Sequence, residues 1–132
     1  MPREQDPIEK DESLGSVVKV QEVIDFIVLS DLQKNGRLYQ SQLERNIITI
    51  LEGVGVNKAY LVQRLRKLAE AGHLWREWDT DRRYNRYYEI TDEGLNYFKK
   101  MMKDLPVRVQ RAQRVYKLFD DLIGQYNKMD LK

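Results

Sequence analysis

Apolar residues in the first part of the chain recur at spacings of three and four, which is the period of an α-helix that buries one face. The first such stretch consists of Val17, Val20, Val23, Ile24, Ile27 and Val28. Turn-forming residues follow it at 31–36. We predict a first amphipathic helix of about four turns, because the spacing favours a helix although β-branched residues also suit strands.

The same spacing predicts two further helices between residues 39 and 72. The second covers 39–51, before the glycines of segment 53–55 end it, and its inward positions are Leu43, Ile47, Ile50 and Leu51. Asn57 is a residue type that caps helix N-termini, and it precedes the third helix. Gly72 follows that helix, where a positive φ is favoured. The third helix has the apolar stripe Leu61, Leu65, Leu68 and Ala69.

After Gly72 the apolar period changes to two, and aromatic residues become frequent. This alternation predicts two antiparallel strands at 74–78 and 86–90, joined by a polar hairpin tip at 79–85. Trp75 and Trp78 lie on opposite faces of an ideal strand. We therefore assign one face of the hairpin to the core.

A last helical stretch begins at Thr91 or Asp92, either of which can cap it. Its first inward positions are Leu95, Phe98, Met101 and Met102. Pro106 then either starts a new helix or kinks a continuing one. The apolar stripe continues to about Tyr126 and consists of Val109, Ala112, Tyr116, Phe119 and Ile123. This stripe exceeds what a small core needs, so we predict that it forms a homodimer interface.

Charge is distributed unevenly, although 23 Lys and Arg nearly balance 21 Asp and Glu and give a net charge of +2. Residues 1–16 carry a net charge of −3 and few large apolar side chains, so we predict a disordered acidic tail there. Removing −3 from +2 leaves +5 on residues 17–132. The segment 99–117 is the most basic, with seven positive residues and one negative.

Several classes of chemistry are excluded by composition. The chain has no Cys and a single His, so it offers no disulfide, no thiolate zinc site and no Cys nucleophile. No nucleophile–base constellation is present, and we expect neither an enzyme nor a cofactor or metal. No apolar run approaches the length of a membrane span. A cytoplasmic protein without membrane contact is expected.

Three helices, a two-stranded hairpin and a further helix follow in the order of a winged helix-turn-helix, which is a DNA-binding fold. We therefore expect a mainly α protein with a small β-hairpin (α+β). Residues 17–103 would form the winged-helix DNA-binding domain, and residues 104–132 the C-terminal dimerisation helix. In this fold the third helix can enter the major groove, while the hairpin, called the wing, lies along the backbone.

Three segments resemble the PadR-like transcriptional regulators, and they are YYEITDEG at 87–94, LRKLAEAGHL at 65–74 and GRLY at 36–39. The resemblance covers about residues 20–125. It implies a repressor that dimerises through its C-terminal helix. The family's tyrosine in the third helix lies two positions early here, as Tyr60. The segment 37–39 also resembles the replication terminator protein of bacilli, which is a winged helix as well.

One face of the third helix carries side chains that can contact bases. With Leu65 in the core, the helical period places Tyr60, Gln63 and Lys67 opposite, with Ala59 beside them and Arg64 on the flank. Gln63 can form two hydrogen bonds to adenine, and Lys67 or Arg64 can reach guanine or phosphate. The predicted contacts at the starts of the second and third helices are Tyr39, Gln40, Ser41, Asn57 and Lys58. The alternative is that Arg and Lys on this helix serve solubility alone.

The predicted wing contributes a second group of DNA contacts, namely Arg82, Arg83, Tyr84 and Arg86. At a hairpin tip these side chains support nothing by packing, so contact with phosphates or the minor groove explains their position. The alternative is a solvated turn in which Arg pairs with Asp79 and Asp81.

These features favour a homodimeric transcriptional repressor that recognises double-stranded DNA at an inverted-repeat site. The alternatives are a replication-terminator or architectural DNA-binding protein, and a winged helix that serves as a protein-interaction module. The aromatic strands also raise the alternative of a stacking surface for single strands. Some PadR-like proteins bind flat ligands with a Trp of the last helix. This chain has no Trp beyond Trp78, so nothing in the sequence supports a small-molecule effector.

Overall fold

The computed structural model describes residues 18–54, 57–78 and 86–131. The elements in chain order are α1 (Val20–Asn35), β1 (Leu38–Tyr39), α2 (Gln40–Ile50), α3 (Lys58–Glu70), β2 (Leu74–Trp78), β3 (Arg86–Ile90) and α4 (Asp92–Asn127). This architecture is mainly helical with a small antiparallel sheet, and it confirms the predicted fold class. The predicted acidic tail at 1–16, together with Val17, lies outside the described residues.

The first helix differs from its prediction at both ends. Residues 31–35 continue α1 instead of forming a turn. Asp31 is buried there, and its carboxylate accepts hydrogen bonds from Asn35 Nδ2 at 2.6 Å and Asn46 Nδ2 at 2.7 Å. Those hydrogen bonds reduce the cost of burying the Asp31 side chain. At the other end Val20 is exposed, so its predicted inward position is wrong, and the buried face starts at Ile24.

The boundaries of α2 and α3 follow from local caps. Asn57 Oδ1 accepts hydrogen bonds from the backbone N of Ala59 at 2.8 Å and of Tyr60 at 3.3 Å, which confirms the predicted N-cap of α3. Gly72 has φ +86°, as its predicted place after α3 requires. In α2 the predicted inward position of Ile50 is wrong, because the helix ends there and leaves this side chain 53% exposed.

The sheet has the strand order β1-β3-β2, with both pairings antiparallel. The two predicted hairpin strands are confirmed, whereas β1 was missed because its two residues were assigned to the entry of the second helix. One sheet face supplies Leu38, Leu74 and Tyr88 to the core. Trp75 and Trp78 remain 45% and 49% exposed, so the main aromatic residue of the core is Tyr88.

The last helix is continuous over 36 residues and contains Pro106, so of the two predicted alternatives the structure has the continuing helix. Thr91 Oγ1 accepts a hydrogen bond from the backbone N of Gly94 at 3.0 Å and caps the first turn. Met101 is buried, but Met102 is 55% exposed. The predicted inward position of Met102 is wrong because neighbouring helical residues point about 100° apart.

The chain forms two compact units. The first unit comprises Val20–Met102 and holds the three-stranded sheet, α1 to α3 and the start of α4. Of the described chain, residues 18–19 and 103–131 belong to the second unit. No helix of the described segments combines the length and the apolar composition needed to cross a lipid bilayer.

Candidate nucleic-acid interface

The outer face of α3 is free of packing within the first unit. The helix buries Leu61, Leu65 and Leu68, which fixes the side that faces the core. Around the rest of its circumference the exposed residues are Lys58, Ala59, Val62, Gln63, Arg66, Lys67 and Glu70. Tyr60 is half-buried. The face thus presents amide, ammonium, guanidinium and methyl groups, which are the types of group that contact base edges and phosphates in a major groove, together with the carboxylate of Glu70.

Arg64 does not lie on this outer face, in contrast to its predicted contact with guanine or phosphate. Its guanidinium turns inward to the fully buried carboxylate of Asp25 on α1, with Nε at 2.9 Å from Oδ1 and Nη2 at 2.7 Å from Oδ2. The Arg64 side chain is only 14% exposed. The hydrogen bond to Asp25 raises the pKa of Arg64. Arg64 therefore holds α3 in place and is not available to DNA.

A cleft of about 390 Å³ lies between the start of α2, α3 and the base of the hairpin. It is lined by Gln40, Ser41, Glu44, Lys58, Val62, Trp78 and Arg86. Four of these seven residues were predicted as DNA contacts. The structure brings them together although the first and last, Gln40 and Arg86, lie 46 positions apart in the chain. Glu44, Val62 and Trp78 were not among the predicted contacts. The signal for Trp78 was the hairpin register, which pairs it with Arg86.

The charged side chains that line this cleft are Lys58, Arg86 and Glu44. The Arg86 guanidinium carbon lies 4.5 Å from the centre of the Trp78 ring, so the indole holds the charge by a cation–π contact. Lys58 Nζ lies 3.9 Å from Glu44 Oε1, but the Lys58 side chain remains 76% exposed. Such a loosely paired lysine contributes little to stability and can turn to a phosphate.

Two other predicted contacts, Tyr39 and Asn57, do not line the cleft. Tyr39 pairs with Tyr87 across the sheet, and the two rings meet edge to face at 6.2 Å, so Tyr39 does not line the cleft. The side-chain oxygen of Asn57 is used in capping α3. Arg82, Arg83 and Tyr84 lie outside the described residues. His73 follows α3, where its backbone N donates to Leu68 O at 2.9 Å and its ring stacks on Tyr97.

The second unit carries the predicted dimer stripe on α4. Its members Val109, Tyr116, Phe119 and Ile123 are exposed, with Tyr116 at 70%, whereas Ala112 is buried. Leu118, Leu122 and Tyr126 are exposed as well and widen the apolar surface beyond the predicted stripe. Among the described residues, no group of three or more His, Asp or Glu side chains could hold a metal ion.

The sequence matches no protein-family model and no curated protein. The structure does match solved structures of regulators. A transcriptional regulator from Clostridium thermocellum is 21% identical, with a TM-score of 0.57 over 84% of this chain and 99% of that one. BpsR from Bordetella bronchiseptica is 15% identical, with a TM-score of 0.54 over 90% and 86% of the two chains. MarR is 17% identical, with a TM-score of 0.50 over 96% and 94%.

The chain has a winged helix-turn-helix fold. In that fold the helix at the position of α3 is called the recognition helix, and the hairpin at the position of β2–β3 is called the wing. These neighbours do not support the PadR-like subfamily in particular. The cleft therefore lies where the recognition helix, the start of α2 and the base of the wing converge.

Proposed function

We propose that this protein is a homodimeric transcriptional repressor that binds double-stranded DNA sequence-specifically. The observation that carries the proposal is the cleft, in which α2, α3 and the wing present donors and cations beside the exposed face of the recognition helix. In a winged helix these are the three elements that approach a duplex. The fold itself, shared with transcriptional regulators, supports the same conclusion.

DNA binding would divide the predicted contact residues into two roles. Gln63 on the recognition helix contacts base edges in the major groove, and small Ala59 allows close approach there. Lys58, Lys67 and Arg86 contact phosphates, together with the donors Gln40 and Ser41 at the start of α2. The wing residues Arg82, Arg83 and Tyr84 are assigned to the adjacent backbone or minor groove in the same proposal. Phosphate contacts fix orientation, whereas base contacts select the sequence.

A second copy of the chain is the proposed occupant of the exposed apolar surface on α4. The side chains of Tyr116, Phe119 and Ile123 form a surface that soluble monomers rarely leave uncovered. A two-fold dimer would present two recognition helices to successive major grooves. The preferred site would then be an inverted repeat with half-sites about one helical turn apart.

The PadR-like assignment is a finer part of the proposal and rests on the segments at 36–39, 65–74 and 87–94. One experiment distinguishes this function from the alternatives that the sequence leaves open. In it, bound duplexes are selected from a random pool. Recovery of an inverted repeat supports the proposal. Retention of random duplexes without any consensus would indicate an architectural protein. Failure to retain DNA, with no salt-dependent binding to heparin, would indicate a protein-interaction module.

A further inference from the structure

A buried polar cluster joins three helices of the first unit behind the exposed face of α3. Its centre is Asp25 on α1, which is fully buried. Oδ1 accepts a hydrogen bond from Arg64 Nε at 2.9 Å, and Oδ2 accepts one from Arg64 Nη2 at 2.7 Å. Oδ2 also accepts a hydrogen bond from the Tyr97 hydroxyl on α4 at 3.0 Å. The Asp25 carboxylate therefore links α1 to both α3 and α4.

This cluster constrains α3 in a way that its apolar contacts do not. The other buried side chains of α3 are Leu61, Leu65 and Leu68. Apolar burial is non-directional, so leucines alone tolerate small rotations of the helix about its axis. The Arg64–Asp25 pair uses two parallel hydrogen bonds of fixed geometry. Gln63 is next to Arg64 in α3, at a fixed angle about the helix axis. The rotation of α3 that the Arg64–Asp25 pair fixes therefore also sets the direction of Gln63.

Tyr97 orients the carboxylate that receives Arg64. Its ring stacks on His73 with centroids 4.6 Å apart and an angle of 19° between the ring planes. Its hydroxyl is thereby held toward Asp25 Oδ2. Without that donor, the carboxylate could rotate about its side-chain torsion and the geometry of the Arg64 pair would change with it.

We propose that Tyr97 is a positioning residue for sequence recognition, because it orients Asp25 and Arg64 and thereby sets the rotation of α3 against DNA. The inference rests on the proposed DNA-binding function. It assigns Tyr97 no contact with DNA, and it predicts an effect on discrimination between sequences and none on general affinity.

The test uses Tyr97→Phe in the full chain, since phenylalanine keeps the ring that stacks on His73 and removes only the hydroxyl. Affinity is measured for a duplex selected by the wild-type protein from a random pool and for a scrambled duplex of equal length. The ratio of the two affinities should fall at least about fivefold, which is the effect of one misaligned base contact. Affinity for the scrambled duplex and its salt dependence should not change.

Tyr87→Phe is the matched control, because it also removes a hydroxyl bonded to a carboxylate, that of Glu77 at 3.3 Å, on the exposed side of the sheet. It should keep the wild-type ratio. If Tyr97→Phe does not fold, as judged by thermal unfolding, Arg64→Lys replaces it, since lysine keeps the charge beside Asp25 but cannot form both hydrogen bonds.

The outcomes separate this inference from the function on which it rests. A wild-type protein that selects no preferred sequence overturns the proposed function, and this inference with it. A discriminating wild type and an equally discriminating, folded Tyr97→Phe variant overturn only the inference. Equal losses on both duplexes would also overturn it, because they indicate general destabilisation instead of a rotated helix.

Discussion

Single side chains on α3 differ in what they offer to DNA, and substitution can separate them. Gln63→Ala should relax base preference at one position of each half-site and cost about 1–3 kcal/mol on the selected duplex. Lys67→Ala should weaken binding to all sequences to a similar extent if Lys67 contacts phosphate. Fluorescence anisotropy with singly substituted duplexes measures both effects.

The control for this pair is Gln33→Ala, which removes an exposed glutamine from α1 and should leave affinity unchanged. If Gln63→Ala lost the same affinity on selected and on scrambled DNA, Gln63 would not be a base contact. Arg64 is left out of this comparison because its guanidinium is bound to Asp25.

Because of Tyr97, the stability of the protein should decrease as the pH rises through the alkaline range. Burial, followed by the nearby Asp25 charge, raises the pKa of Tyr97 from 10.0 to about 12. Because the pKa is higher in the folded state than in the unfolded chain, the stabilisation is complete below pH 10 and is lost between pH 10 and 12. The urea midpoint should fall more steeply over this range for the wild type than for Tyr97→Phe. Parallel pH profiles of the two proteins would contradict the assignment.

The two glycines of α4 should respond oppositely to alanine, although they lie in one helix. A Cβ at Gly94 would collide with the backbone carbonyl of His73 and lie 3.0 Å from Ile90 Cγ1. Gly94→Ala should therefore lower the free energy of unfolding by about 1–3 kcal/mol or more. A Cβ at Gly124 meets no atom within 4 Å. Gly124→Ala should raise the free energy of unfolding by up to about 1 kcal/mol, because alanine favours the helix.

Chemical unfolding of the two variants under the same conditions checks this contrast. A stable Gly94→Ala protein would show that the close approach of α4 to the turn after α3 is not required. That approach is reinforced by Thr91, whose hydroxyl donates to Gly72 O at 2.6 Å.

Assembly into a dimer should depend on the outer face of α4 beyond Pro106. Phe119→Asp combined with Ile123→Asp places two charges in the proposed interface, and burying unpaired charges opposes association. Light scattering at micromolar concentration should then give the mass of one chain, against two for the wild type. DNA affinity for an inverted repeat should fall as well, because the two half-sites are no longer bound by linked recognition helices.

The control is Gln110→Asp, which adds a charge at an exposed polar position on the side of the helix away from this apolar surface. It should keep the mass of a dimer. A wild-type mass of one chain at the same concentration would contradict dimerisation through this surface.

Local signals in the sequence determined most of the elements. Asn57 and Gly72 delimit α3 by capping chemistry that involves only neighbouring residues. The period-two segments predicted β2 and β3 with their observed bounds, because alternation and aromatic content are properties of a short stretch. The winged-helix order, and the exposed face of α3 with Gln63 and Lys67, followed from the same patterns.

Only the tertiary structure decided features that depend on residues distant in the chain. Strand β1 consists of two residues and exists because Leu38 and Tyr39 pair with β3, about fifty positions later. Arg64 turns inward because Asp25 and Tyr97, from two other helices, meet it there, whereas the helical period alone placed it on a flank open to DNA. The cleft has the same origin, since Gln40, Lys58 and Arg86 share no local pattern. Periodicity gives the angle of a side chain about its own helix, but the partners that lie at that angle are set by packing between elements.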